Sequence, residues 1–122
     1  MSGSTSDPAP KERQVLGAPE RALRCPAKQL QKKFKHAQDF GVTSDYNPEN
    51  ARLFERALLA HVQDEATQII AGTYRGKPVT HFFNPSSHLN VVRDANGDFE
   101  TGWRLSPEQE RHVLANGSLG GG

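Results

Sequence analysis

Residues 67–105 read TQIIAGTYRGKPVTHFFNPSSHLNVVRDANGDFETGWRL, and this run decides the fold. β-branched and aromatic residues crowd four segments: Thr67 to Tyr74, Pro78 to Phe83, Leu89 to Asp94, and Asp98 to Leu105. Turn signals separate them. Arg75-Gly76 marks the first turn, Asn84-Pro85-Ser86-Ser87 forms a loop, and Ala95-Asn96-Gly97 carries an Asn-Gly pair, a strong hairpin signal. Alternation along the last segment puts Phe99, Thr101, Trp103 and Leu105 on one face. The pattern predicts a meander of about four antiparallel strands.

Upstream, the period is helical. Pro26 suits the opening position of a helix. Ala27, Leu30, Phe34 and Ala37 then recur at spacings of three, four and three, which gives one apolar stripe. Lys28, Lys32 and Lys35 fall on a separate face, and Gly41 is the expected stop. A second helix starts at Asn47 as N-cap, with Pro48 and Glu49 behind it. Phe54, Leu58 and Val62 run down its apolar side to an expected end near Gln63 or Asp64. Downstream, Ser106-Pro107-Glu108 caps a short final helix to about Ala115. The elements define an α+β domain with helices on one face of a four-stranded, or slightly larger, antiparallel sheet.

A length of 122 residues fits one core with tails. The 34% hydrophobic share is low, and the deficit concentrates at the ends. Residues 1–23 are expected to be a flexible linker, 24–115 the folded domain and 116–122 a flexible tail. One cysteine, Cys25, excludes an internal disulfide and a thiolate zinc site. No apolar run approaches the ~18–20 residues of a membrane-spanning helix, and no signal-peptide pattern is present.

The net charge of +1 conceals an asymmetry. Arg21, Arg24, Lys28, Lys32, Lys33 and Lys35 precede Gln38 without an intervening acid, whereas Asp45 to Glu65 holds five acids against two arginines. A basic stripe on a near-neutral chain fits a polyanion meeting one surface. A solvated helix face gives the same pattern.

His36 is the residue with most chemical content. Cations one helical turn away disfavour the imidazolium, so more of the ring is neutral near pH 7. Such a histidine suits acid–base work beside a phosphate; spacing alone allows a polar helix-end residue equally well. RNA cleavage needs few further parts, because the 2′-hydroxyl attacks its own phosphorus and cations stabilise the charge that develops. Thr101 and Trp103 form a second cluster. On an open face they would bind a phosphate and stack on a base; on a closed one they are core. The remaining histidines, His61, His81, His88 and His112, show no metal-binding spacing, so no metal or cofactor is expected.

Lys32-Lys33-Phe34-Lys35-His36-Ala37-Gln38-Asp39-Phe40-Gly41 resembles the basic Lys-Lys-aromatic-Lys-His segment of the colicin D nuclease family. Gly72-Thr73-Tyr74-Arg75, Phe83-Asn84-Pro85, Leu89-Asn90-Val91-Val92 and Gly97-Asp98-Phe99-x-Thr101-Gly102-Trp103 follow in the family's order, across about residues 28–105. Several blocks in register are a specific signal. The resemblance implies a fold similar to the small RNases grouped around barnase, EndoU-type enzymes, colicins and RelE-type toxins. It implies metal-independent cleavage of tRNA in the anticodon loop, leaving a 2′,3′-cyclic phosphate and a 5′-hydroxyl.

By the same resemblance His36 is the catalytic base or acid. Lys33 and Lys35 bind and stabilise the phosphate, and Trp103 lies near the active centre. Thr101 stands where the family has serine, which keeps the hydroxyl and adds a methyl. Lys28 and Lys32 are assigned to tRNA attraction, with Arg75 and Lys77 extending that surface. The family context implies a toxin secreted or displayed as part of a larger protein and acting in the target cell's cytoplasm. It also implies an acidic immunity protein, the domain being a monomer or half of a 1:1 complex. A nuclease of this fold with another RNA substrate, and a non-catalytic RNA-binding module, are the alternatives.

Overall fold

The computed structural model describes residues 19–120. After a 3-10 turn at Pro19–Arg21 come α1 (Ala27–Lys32), a 3-10 helix (Phe34–Phe40) and α2 (Pro48–Gln63). Strands β1 (Gln68–Tyr74), β2 (Lys77–Phe83), β3 (Leu89–Arg93) and β4 (Phe99–Arg104) follow, then α3 (Pro107–Asn116) and β5 (Ser118–Leu119). The class is α+β, as expected.

The meander forms as its turns dictate, with strand order β4-β3-β2-β1-β5. Tyr74 pairs with Lys77 across a two-residue turn in which Arg75 and Gly76 both have positive φ, 51° and 82°. That geometry matches the twist of the flanking strands.

α2 begins where the sequence places it, with the Asn47 side chain accepting from the Asn50 amide. Its residues Phe54, Leu58 and Val62 pack on Phe82, Val91 and Phe99, together with Leu30 and Ala37. This is the first core, between the N-terminal helices and one face of the sheet.

Four expectations change. The segment expected as one helix from Pro26 to Gly41 is two: α1 ends at Lys32 and a 3-10 helix takes over at Phe34. Second, β4 contains a bulge. Val92 pairs with Thr101 and Arg93 with Phe99, which leaves Glu100 as the extra residue. The bulge reverses the parity of the strand. Phe99 therefore joins the first core, while Thr101, Trp103 and Leu105 take the opposite face.

Third, α3 covers that opposite face. Val113 packs there with Tyr74, Phe83, Val92 and Trp103. Helices thus lie on both faces.

Fourth, the expected tail is partly structure. β5 pairs parallel with β1, and Leu119 is only 3% exposed. The close approach needs glycine: a Cβ on Gly72 would lie 2.0 Å from the Gly117 carbonyl oxygen. At the other end, the Arg21 guanidinium donates to the carbonyls of Val62, Asp64 and Thr67, so the folded unit extends N-terminal of residue 24. Residues 1–18 of the expected linker lie outside the described residues.

Candidate active site

The 3-10 helix decides where His36 points. With three residues per turn, side chains at i and i+3 eclipse and the helix has three edges. Phe34, Ala37 and Phe40 form the edge that packs into the first core. Lys35, Gln38 and Gly41 form the solvent edge. Lys33, His36 and Asp39 form the third, which meets β4. Asp39 fastens it there: its carboxylate accepts the Arg104 amide at 3.1 Å.

His36 stacks on Trp103, with ring centroids 5.4 Å apart and planes inclined by 31°. Trp103 is held in turn by α3. Its Nε1–H donates to Gln109 Oε1 at 3.3 Å, the oxygen that also accepts the Ser106 amide in the capping box of α3. The Tyr74 ring also lies near Trp103, with centroids 6.2 Å apart. Trp103 thus contacts rings from two other elements, His36 of the 3-10 helix and Tyr74 of β1.

Burial lowers the His36 pKa below its ordinary 6.5, the Lys35 and Lys33 charges push it further down, and Asp39 partly restores it. Partial burial comes first, ahead of the neighbouring cations to which the sequence points, and Lys35 outweighs Lys33. Lys33 is itself lowered by burial and by the charges of Lys35, Lys32 and Arg75, with Glu100 opposing. Arg75 thus reaches the same neighbourhood from the β1–β2 turn, and its guanidinium sits 5.3 Å from the Tyr74 ring centroid.

Lys33, Lys35, Arg75, His36 and Trp103 come together, while Lys32 lies exposed beside them on α1. Lys28, one turn earlier, is exposed on the same helix. Lys77 stands at the start of β2, beside the Arg75-Gly76 turn.

Several polar atoms here are buried without a partner among the described residues: His36 Nε2, Tyr74 Oη, Thr101 Oγ1 and Asn90 Oδ1. Buried polar groups are ordinarily satisfied, and each exception calls for an explanation. Tyr74, Thr101 and Asn90 lie on the second face, the one His36 meets through Trp103.

Other motif residues serve the frame. His81 Nε2–H donates to the carbonyls of Gly117 (2.7 Å) and Thr73 (3.2 Å), and Nδ1 accepts from Asn90. Asn84 Oδ1 accepts the Ser86 and Ser87 amides and closes the loop after β2. Sequence patterns attached no role to Tyr74, Glu100 or Gln109. A bulge and a shared capping oxygen bring Glu100 and Gln109 to the site, and neither has a sequence period.

Fold and site define a small α+β domain with a histidine set among cations on its sheet. The chain belongs to the colicin D family, whose profile matches residues 29–113. Over 109 residues it is 36% identical to Colicin-D of Escherichia coli, which covers 86% of this chain and 16% of that longer protein. It is also similar to a solved Escherichia coli ribonuclease complexed with its inhibitor protein. The TM-score is 0.68 at 38% identity, over 75% of this chain and 100% of that one.

Proposed function

We propose that this domain is an endoribonuclease toxin that cuts tRNA in the anticodon loop. The observation that carries the reading is His36, fixed on Trp103 with Lys33, Lys35 and Arg75 around it. The similarity to a ribonuclease supports the class of reaction.

A neutral imidazole takes the proton of the 2′-hydroxyl as that oxygen attacks phosphorus. The P–O5′ bond breaks and the leaving oxygen takes a proton from solvent, leaving a 2′,3′-cyclic phosphate and a 5′-hydroxyl. Lys33, Lys35 and Arg75 stabilise charge on the phosphoryl oxygens. Thr101 is fully buried on the face that α3 covers, so it supports the site from beneath rather than touching the phosphate, and Lys28, Lys32 and Lys77 attract the tRNA backbone. The nucleophile belongs to the substrate, so the step requires no metal-activated water.

The relatives support a wider setting: delivery within a larger toxin and neutralisation by an acidic immunity protein seated on the basic site. Salt should loosen such a complex; an interface indifferent to salt would contradict it.

The test is total bacterial tRNA incubated with the domain in EDTA, beside His36→Ala, with the cut ends mapped. Discrete anticodon-loop cuts bearing cyclic phosphate, absent from the variant, are expected. Intact tRNA, or equal cutting by both proteins, overturns the proposal.

A further inference from the structure

A cleft of about 300 Å³ opens next to the stacked rings. Tyr74, Pro78 and Val79 supply apolar wall, and Lys77, Asp94, Asn96 and Glu100 supply polar groups, with Asp94 Oδ1 already taken up by the Asn96 and Asp98 amides. Its size lies at the lower end of small-molecule sites, enough for one nucleotide unit. Tyr74 is common to the cleft and to the ring series that runs through Trp103 to His36. Tyr74 is 3% exposed and its hydroxyl has no partner among the described residues.

The bulge determines what the cleft can recognise. In a regular strand Glu100 would share the first-core face with Gly102. As the extra residue of β4 it is released from that alternation and lines the cleft. Bulges commonly re-aim a side chain beside a site in this way. The Gln29 side chain holds the Glu100 carbonyl at 2.5 Å and fixes the bulge. Opposite, the loop is braced by Arg24, which binds the Asn96 carbonyl and the Asp98 carboxylate.

We propose that this cleft is a nucleobase subsite that seats a base next to the scissile phosphate and selects bases bearing an exocyclic amino group. The proposal rests on the ribonuclease reading above. An ionised carboxylate only accepts hydrogen bonds, so Glu100 pairs with the amino group of cytosine, adenine or guanine. Uracil has no such group: its one ring N–H stands between two carbonyls, and a carbonyl oxygen opposes the carboxylate where the amino group of cytosine would donate. Lys77 donates to a ring nitrogen or carbonyl of the same base, and the apolar wall covers its face.

The test titrates the intact chain with the four nucleoside 3′-monophosphates and with inorganic phosphate, followed by NMR. The uridine nucleotide is expected to bind about tenfold more weakly than the other three. Glu100→Gln, whose amide can donate as well as accept, should bring it to within about twofold. Four equal affinities, or a preference unchanged by Glu100→Gln, overturn the subsite. His36-dependent tRNA cutting without nucleotide binding also overturns the subsite and leaves the nuclease reading standing. Base discrimination with intact tRNA keeps the subsite and removes the nuclease.

Discussion

The imidazole of His36 lies against the indole of Trp103, 5.4 Å between centroids, and that indole is anchored to Gln109 of α3. The orientation of the proposed catalytic ring thus depends on the cap of a helix 73 positions further along the chain.

Replacing Trp103 by leucine keeps an apolar filler but removes the flat surface and the Nε1–H donor. The expected result is a kcat for RNA cleavage reduced by about 10- to 100-fold, with a smaller change in KM, because misorientation acts on the reacting geometry. Single-turnover kinetics beside a melting curve checks this. A kcat within twofold of wild type would mean that the stack does not position His36.

The acid limb of kcat/KM should fall below pH 6.5. Burial, Lys35 and Lys33 all hold His36 below that value, so its neutral form persists into more acidic solution. Lys35→Met removes the larger of the two charges and should move the limb to higher pH. The shift should also be visible in the NMR titration of His36. A limb that stays in place would separate His36 from the observed ionisation.

Thr101 is fully buried, and its hydroxyl has no partner among the described residues. Thr101→Val keeps the shape and deletes that hydroxyl, so stability should rise by about 1 kcal/mol while cleavage slows about tenfold or more. Opposite signs in the two measurements mark a group kept for the site rather than for the fold. Denaturant unfolding and steady-state rates supply them. Loss of both would make Thr101 a structural residue.

Acid should destabilise the fold. His61 and His81 are buried, and burial lowers both below 6.5, while hydrogen bonds to backbone carbonyls partly oppose that. The unfolded chain therefore takes up protons first as pH falls. The stability these residues contribute is complete above about pH 6.5 and is lost as pH drops toward their folded values. The Tm should decline between pH 7 and 5, and His81→Leu should flatten that decline while costing about 1–3 kcal/mol at pH 7. An unchanged pH slope in the variant would assign the effect to other groups.

Particular residues show how far the sequence carries. The Asn47-Pro48 start, the Arg75-Gly76 turn and the Ala95-Asn96-Gly97 turn are local signals, and each element formed where its signal stood. The spacing Leu30, Phe34, Ala37 suits an α-helix, but Phe34, Ala37, Phe40 suits a 3-10 helix equally well. Packing on the first core decided for the latter. The bulge at Glu100 inserts a residue without altering the apolar composition of β4, so alternation misplaced Phe99. The C-terminal Gly-Ser-Leu-Gly run lacks the apolar content of a strand, and Leu119 is ordered only because β1 offers it an edge.

The sequence by itself determined the α+β order, the basic segment around His36 and the family, because these depend on local chemistry and on the succession of motifs. Only the tertiary structure decided which way His36 faces, which hydroxyls are buried unpaired and where Glu100 points. Each of these depends on the parity of a strand or the winding of a helix, and packing between distant elements sets both.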